Sequence, residues 1–277
     1  MQQLVLRHVQ NYELLDSGGG VKLERFGSYI LSRPDPNAIW NKRLPDTEWR
    51  KADATFTKGW DNKRVQEPWT FAYEQLSLLL KLTPFKHTGL FPEQIENWEW
   101  FGDLLRGRKD PKILNLFGYT GGATLYTAAC GATVTHIDAS KPAMIWAHES
   151  QEASKLTAAP IRWITDDALA FAKREVRRGN TYDGIILDPP SFGRSPKGKV
   201  FKFEEDMHPL LDTIRQLLSK EPLFILLNSY ATGFSAETIK NLVADHIRGT
   251  YEYGELNIKE SHTDRLLPCS QFVRVMF

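Results

Sequence analysis

Three acidic sites in this chain each follow a short apolar run, and their surroundings suggest chemistry. Asp188-Pro189-Pro190-Ser191-Phe192 follows Ile185-Ile186-Leu187. Such a segment suits a planar ring bearing an amine. The prolines hold a stretched backbone with outward carbonyls, Phe192 offers a ring face for stacking, and Asp188 accepts a hydrogen bond. The plainer reading is a rigid turn. Asp138 ends the run Thr133–Asp138. An acid there can accept the hydroxyls of a ribose. Alternatively Asp138 or Ser140 caps the helix opened by Ala139-Ser140-Lys141-Pro142. Asp166-Asp167 follows Ile161–Thr165, where a carboxylate can meet an adenine amine. Asp167 is the better placed for that, with Asp166 the alternative as a helix cap.

The element that must position these groups is Lys112–Phe117, an almost wholly apolar stretch of the kind buried on both faces of a parallel sheet. Gly118, Gly121 and Gly122 follow it. Ala123–Cys130 then has helical composition and stops at Gly131. Strand, glycine turn and helix bring bare backbone close to a nucleotide-like ligand. The spacing is not G-x-G-x-x-G, and no Lys-Ser/Thr pair follows it. An ordinary tight turn remains the alternative. Strands at 112, 133, 161 and 182, alternating with helical stretches, predict an α/β fold with a parallel sheet.

The series LNLFGYTGG, THIDAS, TDDA and DPPSF, in this order and spacing, resembles the class I S-adenosylmethionine-dependent methyltransferases. More closely, it is similar to the subgroup containing the bacterial large-subunit ribosomal-RNA base methyltransferases. The resemblance spans residues 84–277 and implies a Rossmann-like, seven-stranded sheet with its last strand antiparallel. It also implies S-adenosylmethionine as cofactor, held by Asn115, Phe117, Gly118, Tyr119, Thr120 and Gly121, then Asp138, Ala139, Ser140 and Asp167. Polar residues before the sheet (Lys86, Thr88 and Gln94) would cover the methionine end, unless Pro92-Glu93-Gln94 simply starts the next helix. Asp188, Pro189, Pro190 and Phe192 would face the acceptor. Residues 1–83 look like the start of a smaller set of bacterial relatives and add no chemistry.

Two departures qualify the resemblance. Many class I enzymes carry an acid on the first strand, facing the cofactor's ammonium; this chain has the neutral Asn115. Relatives that methylate carbon 5 of cytosine need a cysteine after the fifth strand, and Ala231 stands near that place. Relatives acting on a guanine ring nitrogen show asparagines and a Gly-Phe pair, as in Asn228 and Gly233-Phe234. Transfer to nitrogen of a nucleobase in ribosomal RNA is therefore the expected activity. A small-molecule or protein methyltransferase, or a cofactor-binding protein without catalysis, is the alternative.

Composition bounds the rest. The 277 residues suit one large domain and one small one, and 42% hydrophobic residues suffice for a core. No apolar run reaches membrane-span length, the amino terminus lacks signal-peptide character, and two cysteines without metal-ligand spacing point to the cytoplasm. A net charge of +1 gives no bulk support for a nucleic-acid partner. Residues 1–83 read as a small β-rich domain, with a hairpin around Gly18-Gly19-Gly20 and with Trp40, Trp49, Trp60 and Trp69 as core anchors or a base-stacking platform. Ala72–Leu82 reads as a helix with a leucine face. The basic stretch Gly193–Lys202, with Arg194, Lys197, Lys199 and Lys202, reads as a loop that meets RNA phosphates or is merely solvated.

Overall fold

A computed structural model describes residues 1–194, 200–230 and 233–277. In chain order the strands begin with β1 (Gln2–Val5), β2 (Tyr12–Gly18), β3 (Val21–Phe26) and β4 (Tyr29–Pro34). Helix α1 (Asp46–Trp49), β5 (Ala54–Phe56), β6 (Trp60–Asn62), β7 (Trp69–Tyr73) and β8 (Leu76–Leu80) follow. A 3-10 turn, Pro92–Gln94, leads into α2 (Ile95–Leu105). Then come β9 (Lys112–Leu116), α3 (Gly122–Ala129), β10 (Thr133–Asp138), α4 (Lys141–Ala153), β11 (Ile161–Thr165), α5 (Ala168–Arg178) and β12 (Gly184–Leu187). The last part holds β13 (Phe192–Arg194), β14 (Val200–Lys202), α6 (Phe203–Arg215), β15 (Phe224–Ser229), α7 (Ala236–His246), β16 (Thr250–Lys259) and β17 (Leu266–Met276).

The main sheet runs β1-β16-β17-β15-β12-β9-β10-β11. β9 pairs in parallel with β10 and β12, β10 with β11, and β12 with β15, while β15 and β17 are antiparallel. Seven of these strands make the expected sheet; β1 adds an eighth at its edge. The chain leaves central β9 toward β11, then returns to β12 on the other side. The carboxyl ends of β9 and β12 therefore flank a topological switch point, where open α/β sheets bind ligands. Strand burial explains the pattern: all four residues of β12 and all six of β15 are buried, as sheets covered on both faces require. One face packs Leu114, Leu116, Ile185, Leu187 and Leu227 against Phe171, Met207, Leu210, Ile214, Ile239 and Val243 of α5, α6 and α7. On another side Phe101 of α2 stacks on Phe224 (centroids 5.8 Å apart, planes 9°) and meets Tyr126 of α3 edge-on.

By contact density residues 1–4, 97–255 and 270–277 form one unit, and 5–96 with 256–269 the other. In the second unit β2 through β6 make a five-stranded sheet, and β7 and β8 a hairpin. The helix expected over Ala72–Leu82 is thus corrected. Leu76, Leu78 and Leu80 are buried while Ser77 and Leu79 are half-exposed, a period of two. Glu74, at φ +47°, makes the turn. Leucines at every second position fit a strand better than a helical stripe. Among the tryptophans Trp49 and Trp69 are buried, and Trp49 donates to Asp16 at 3.0 Å. Trp40 donates to the Ser17 carbonyl and Trp60 to the Thr83 carbonyl. All four are built into this unit's framework. From the late segment, buried Glu260 receives the Ser17 N–H and hydroxyl at 3.0 and 2.5 Å.

Candidate functional site

The turn after β9 is shaped by three alternating residues with positive φ: Phe117 at +62°, Tyr119 at +50° and Gly121 at +84°. Phe117 and Tyr119 bear side chains there, a conformation costing about 1–3 kcal/mol each that persists only when the surroundings enforce it. The enforcing bonds run from the Gly118 N–H to the Ile137 carbonyl (3.0 Å) and from the Tyr119 N–H to Asp138 Oδ2 (2.8 Å). Gly121 precedes α3 without a side-chain cap, so the first-turn amides of that helix are available to a ligand. A Cβ on Gly121 would lie 3.1 Å from Ala147 and 3.3 Å from Trp163. Thr120 is buried beside it.

Beneath the turn lies a buried polar row. Asn115 Nδ2 donates to Thr124 Oγ1 at 2.8 Å, and Thr124 Oγ1 lies 2.8 Å from His136 Nδ1. The Thr124 oxygen, with two lone pairs and one proton, accepts from Asn115 and either donates to Nδ1 or accepts from it, according to the His136 tautomer. Burial, with His148 adding to it, brings the His136 pKa down to about 3. A Cβ on Gly118 would lie 2.3 Å from His136 Cε1, so the glycine is required by the imidazole under it. Trp163 flanks the ring at 4.6 Å. The amide that the resemblance assigned to the cofactor's ammonium is thus engaged in the core through its nitrogen. His136 and Thr124 escaped the sequence reading, although His136 sits two residues before Asp138 on the same strand face.

Asp138, at the end of β10, carries the site's most buried acid. Oδ2 accepts from Tyr119 and Oδ1 from the Ser140 N–H at 2.7 Å, with the Ala139 N–H also facing it. Burial raises its pKa, and these three amides oppose that. A carboxylate has about four acceptor positions, so capacity remains for a hydroxyl. The helix cap of α4 is Ser140, whose Oγ accepts from Ala143 at 3.3 Å. Asp167 caps α5, accepting from Ala170 at 2.8 Å. Asp166 is paired with Arg174.

Across the switch point the Asp188 N–H donates to the Leu116 carbonyl at 3.3 Å, which fixes the Asp-Pro-Pro segment to the end of β9. Pro189 is buried, Pro190 and Asp188 half-buried. Phe192 begins β13, which pairs with β14 (Phe192 opposite Lys202), so the flanks of the expected loop form an antiparallel ribbon. Lys202 pairs with Glu205 at 2.7 Å; Lys197 and Lys199 lie outside the described residues, as does Ala231. Asn228, expected near the acceptor, accepts from Asn97 at 2.9 Å, and Asn97 in turn accepts from Arg274. Cys130 follows α3 and is half-buried. Burial and then the nearby Glu93 push the Cys269 thiol well up, which disfavours a thiolate. Lys86, Thr88 and Gln94 belong to the other unit. There Lys86 donates to the Pro34 carbonyl at 3.3 Å, Thr88 is fully buried with no partner for its hydroxyl, and Gln94 is buried in the 3-10 turn. Among the described residues no cluster of His, Cys, Asp and Glu could hold a metal, and no helix is long and apolar enough to cross a membrane.

The fold and the carboxylate beside an uncapped glycine turn define a doubly wound α/β protein built for a nucleoside-bearing cofactor. No family model matches the chain. A solved SAM-dependent methyltransferase from Agrobacterium tumefaciens is 40% identical over 100% of this chain and 93% of that one, with a TM-score of 0.96. The chain accordingly belongs to the S-adenosylmethionine-dependent methyltransferases. A SAM-dependent methyltransferase candidate from Streptococcus mutans shares the fold at 19% identity (TM-score 0.74, 96% of this chain and 75% of that one). Among curated sequences, "Ribosomal RNA large subunit methyltransferase K/L" of Photobacterium profundum is 30% identical over 156 residues, and that of Hahella chejuensis 32% over 153. These matches cover 56% and 54% of this chain but only 21% and 20% of the relatives, so it spans about a fifth of their length.

Proposed function

We propose that this chain transfers a methyl group to a nitrogen of a nucleobase in ribosomal RNA, within the cytoplasm. The observation that carries the reading is the pairing, at one switch point, of the glycine turn with the Asp188-Pro189-Pro190 segment, joined by the Asp188–Leu116 hydrogen bond. The curated relatives' names supply the RNA. S-adenosylmethionine, when bound, brings an activated methyl group on a sulfonium. In this reading Asp138 accepts from its ribose, the α3 amino terminus faces its polar end, and Asp167 lies toward the adenine. Trp163, beside Gly121, gives the adenine an apolar wall.

The chain's remaining task is alignment and proton control. Asp188 accepts from the amine or ring N–H of the base, which orients a nitrogen lone pair and receives the proton released after transfer. Pro189 and Pro190 hold the backbone that frames the base edge. Nitrogen needs no covalent activation by the protein, which agrees with a Cys269 thiol held protonated. The test compares modified nucleosides in ribosomal RNA from cells with and without the protein. An N-methylated base should disappear with the gene. No difference, together with no transfer to ribosomal RNA by protein that binds the cofactor, would sink the proposal.

A further inference from the structure

Phe85 is 72% exposed in the segment between β8 and the 3-10 turn. One exposed apolar side chain is ordinary; the backbone holding this one is not. The Thr83 hydroxyl lies 3.0 Å from the Phe85 carbonyl and 2.8 Å from that of His87, and it accepts the Phe85 N–H at 3.3 Å. Trp60 Nε1–H is shared between the Thr83 carbonyl at 2.8 Å and the Phe85 carbonyl at 3.1 Å. Pro84 fixes its own φ between them. Both backbone groups of Phe85 are therefore held while its ring stands outward. Trp60 is braced in turn by Phe56, edge-on at 5.3 Å.

The charge near this ring is in cationic excess. Residues 53–67 and 81–87 carry Lys58, Lys63, Arg64, Lys81 and Lys86 against Asp53, Asp61 and Glu67, the last accepting the Leu82 N–H at 2.6 Å. Arg64 is committed to Asp53 at 2.7 Å, and Lys58 and Lys63 are exposed. In a chain of net charge +1 this is a local excess. An outward aromatic on a held backbone with cations nearby matches the two needs of single-stranded nucleic acid: a face for a base and positive charge for phosphates. Because the backbone under the ring is held beforehand, stacking costs little backbone freedom. An apolar protein pocket would accept the ring but gain nothing from the lysines.

We propose that Phe85 is a stacking platform for an unpaired base of the RNA substrate, with Lys58, Lys63 and Lys81 near the adjoining phosphates. This rests on the RNA reading above and deepens it by assigning the amino-terminal unit a part in substrate binding. The full chain is assayed with a labelled oligoadenosine by fluorescence anisotropy, and with deproteinised ribosomal RNA at saturating S-adenosylmethionine. Phe85→Ala should raise both the oligoadenosine Kd and the RNA KM about tenfold, within the range for one stacked base. Phe85→Trp should restore both, with cofactor affinity unchanged in either variant. Phe85→Ala that binds and turns over RNA like the native chain overturns the inference and leaves the methylation reading standing. Phe85-dependent binding without transfer to ribosomal RNA supports the inference and sinks that reading. A native chain that binds no RNA overturns both.

Discussion

Asp138 and Asp188 differ in how their surroundings use them. Asp138 is closed in by three backbone amides, and its burial raises the cost of its charge, so a ribose hydroxyl would meet an acceptor already aimed. Asp138→Ala should weaken S-adenosylmethionine binding by about 1.5–3 kcal/mol, the range for a charge-assisted hydrogen bond. Calorimetry on protein with native circular dichroism measures this, and unchanged affinity would leave Asp138 as a brace for the turn alone. Asp188 is half-buried, and its backbone N–H is held to the end of β9. Asp188→Asn should keep cofactor affinity within a factor of about two yet lower kcat by about 10²-fold or more, the scale of lost proton-transfer catalysis. Loss of cofactor binding with normal kcat at saturation would move Asp188 out of the acceptor site.

The working element is the β9–turn–α3 unit with β10 beside it, and its weak point is the contact between Gly118 and His136. A methyl group on Gly118 would overlap the imidazole, at 2.3 Å from Cε1 and 2.5 Å from Nδ1. Gly118→Ala should therefore cost about 1–3 kcal/mol of stability, as overpacking does, and weaken cofactor binding because the turn shifts. His136→Ala alone also destabilises, through the cavity and the orphaned Thr124 hydroxyl. Combined with Gly118→Ala it should cost less than the sum of the two, since the clash is gone. Urea unfolding of the four proteins decides this; strictly additive penalties would mean the two residues do not meet.

At the scale of the molecule each unit carries buried groups that resist protonation changes. In the sheet unit His136 must be neutral, with its pKa brought down from 6.5 to about 3 by burial and His148. In the other unit burial and then Arg33 lower His87 to about 4. Buried Glu24, bonded to Arg33 at 2.5 and 3.0 Å, has its pKa brought down to about 2, the neighbouring Arg33 and Lys22 outweighing burial. Between the folded and unfolded values the unfolded chain binds the extra proton in each case, so stability rises with pH. The histidine contributions are complete above about 6.5 and fade as pH falls toward 3–4; that of Glu24 fades from about 4.5 toward 2. Unfolding free energies should thus fall between pH 7 and pH 5 by about 2 kcal/mol for each of the two histidines. A flat profile across that interval contradicts the buried neutral state.

The switch-point site was legible in sequence because its signals are local: a glycine where the backbone needs positive φ, an acid closing an apolar strand, prolines that fix a turn. Each reflects a constraint within a few residues, so Gly121, Asp138 and Asp188-Pro189-Pro190 could be singled out before any contact was known. The strand rhythm likewise declared the α/β fold, since β9, β12 and β15 are built on the apolar runs Ile113-Leu114, Ile185-Ile186-Leu187 and Phe224-Ile225-Leu226-Leu227. Two other features needed the tertiary structure. The leucine-rich stretch Ala72–Leu82 read as a helix, whereas pairing with Trp69–Tyr73 makes Leu76, Leu78 and Leu80 the buried face of a strand. The polar row under the turn followed no local spacing: only the packing of α3 on β9 and β10 joined Asn115 Nδ2 to the Thr124 hydroxyl and that hydroxyl to His136. Side chains choose among partners according to which ones the fold brings near, and that choice is written in no local pattern.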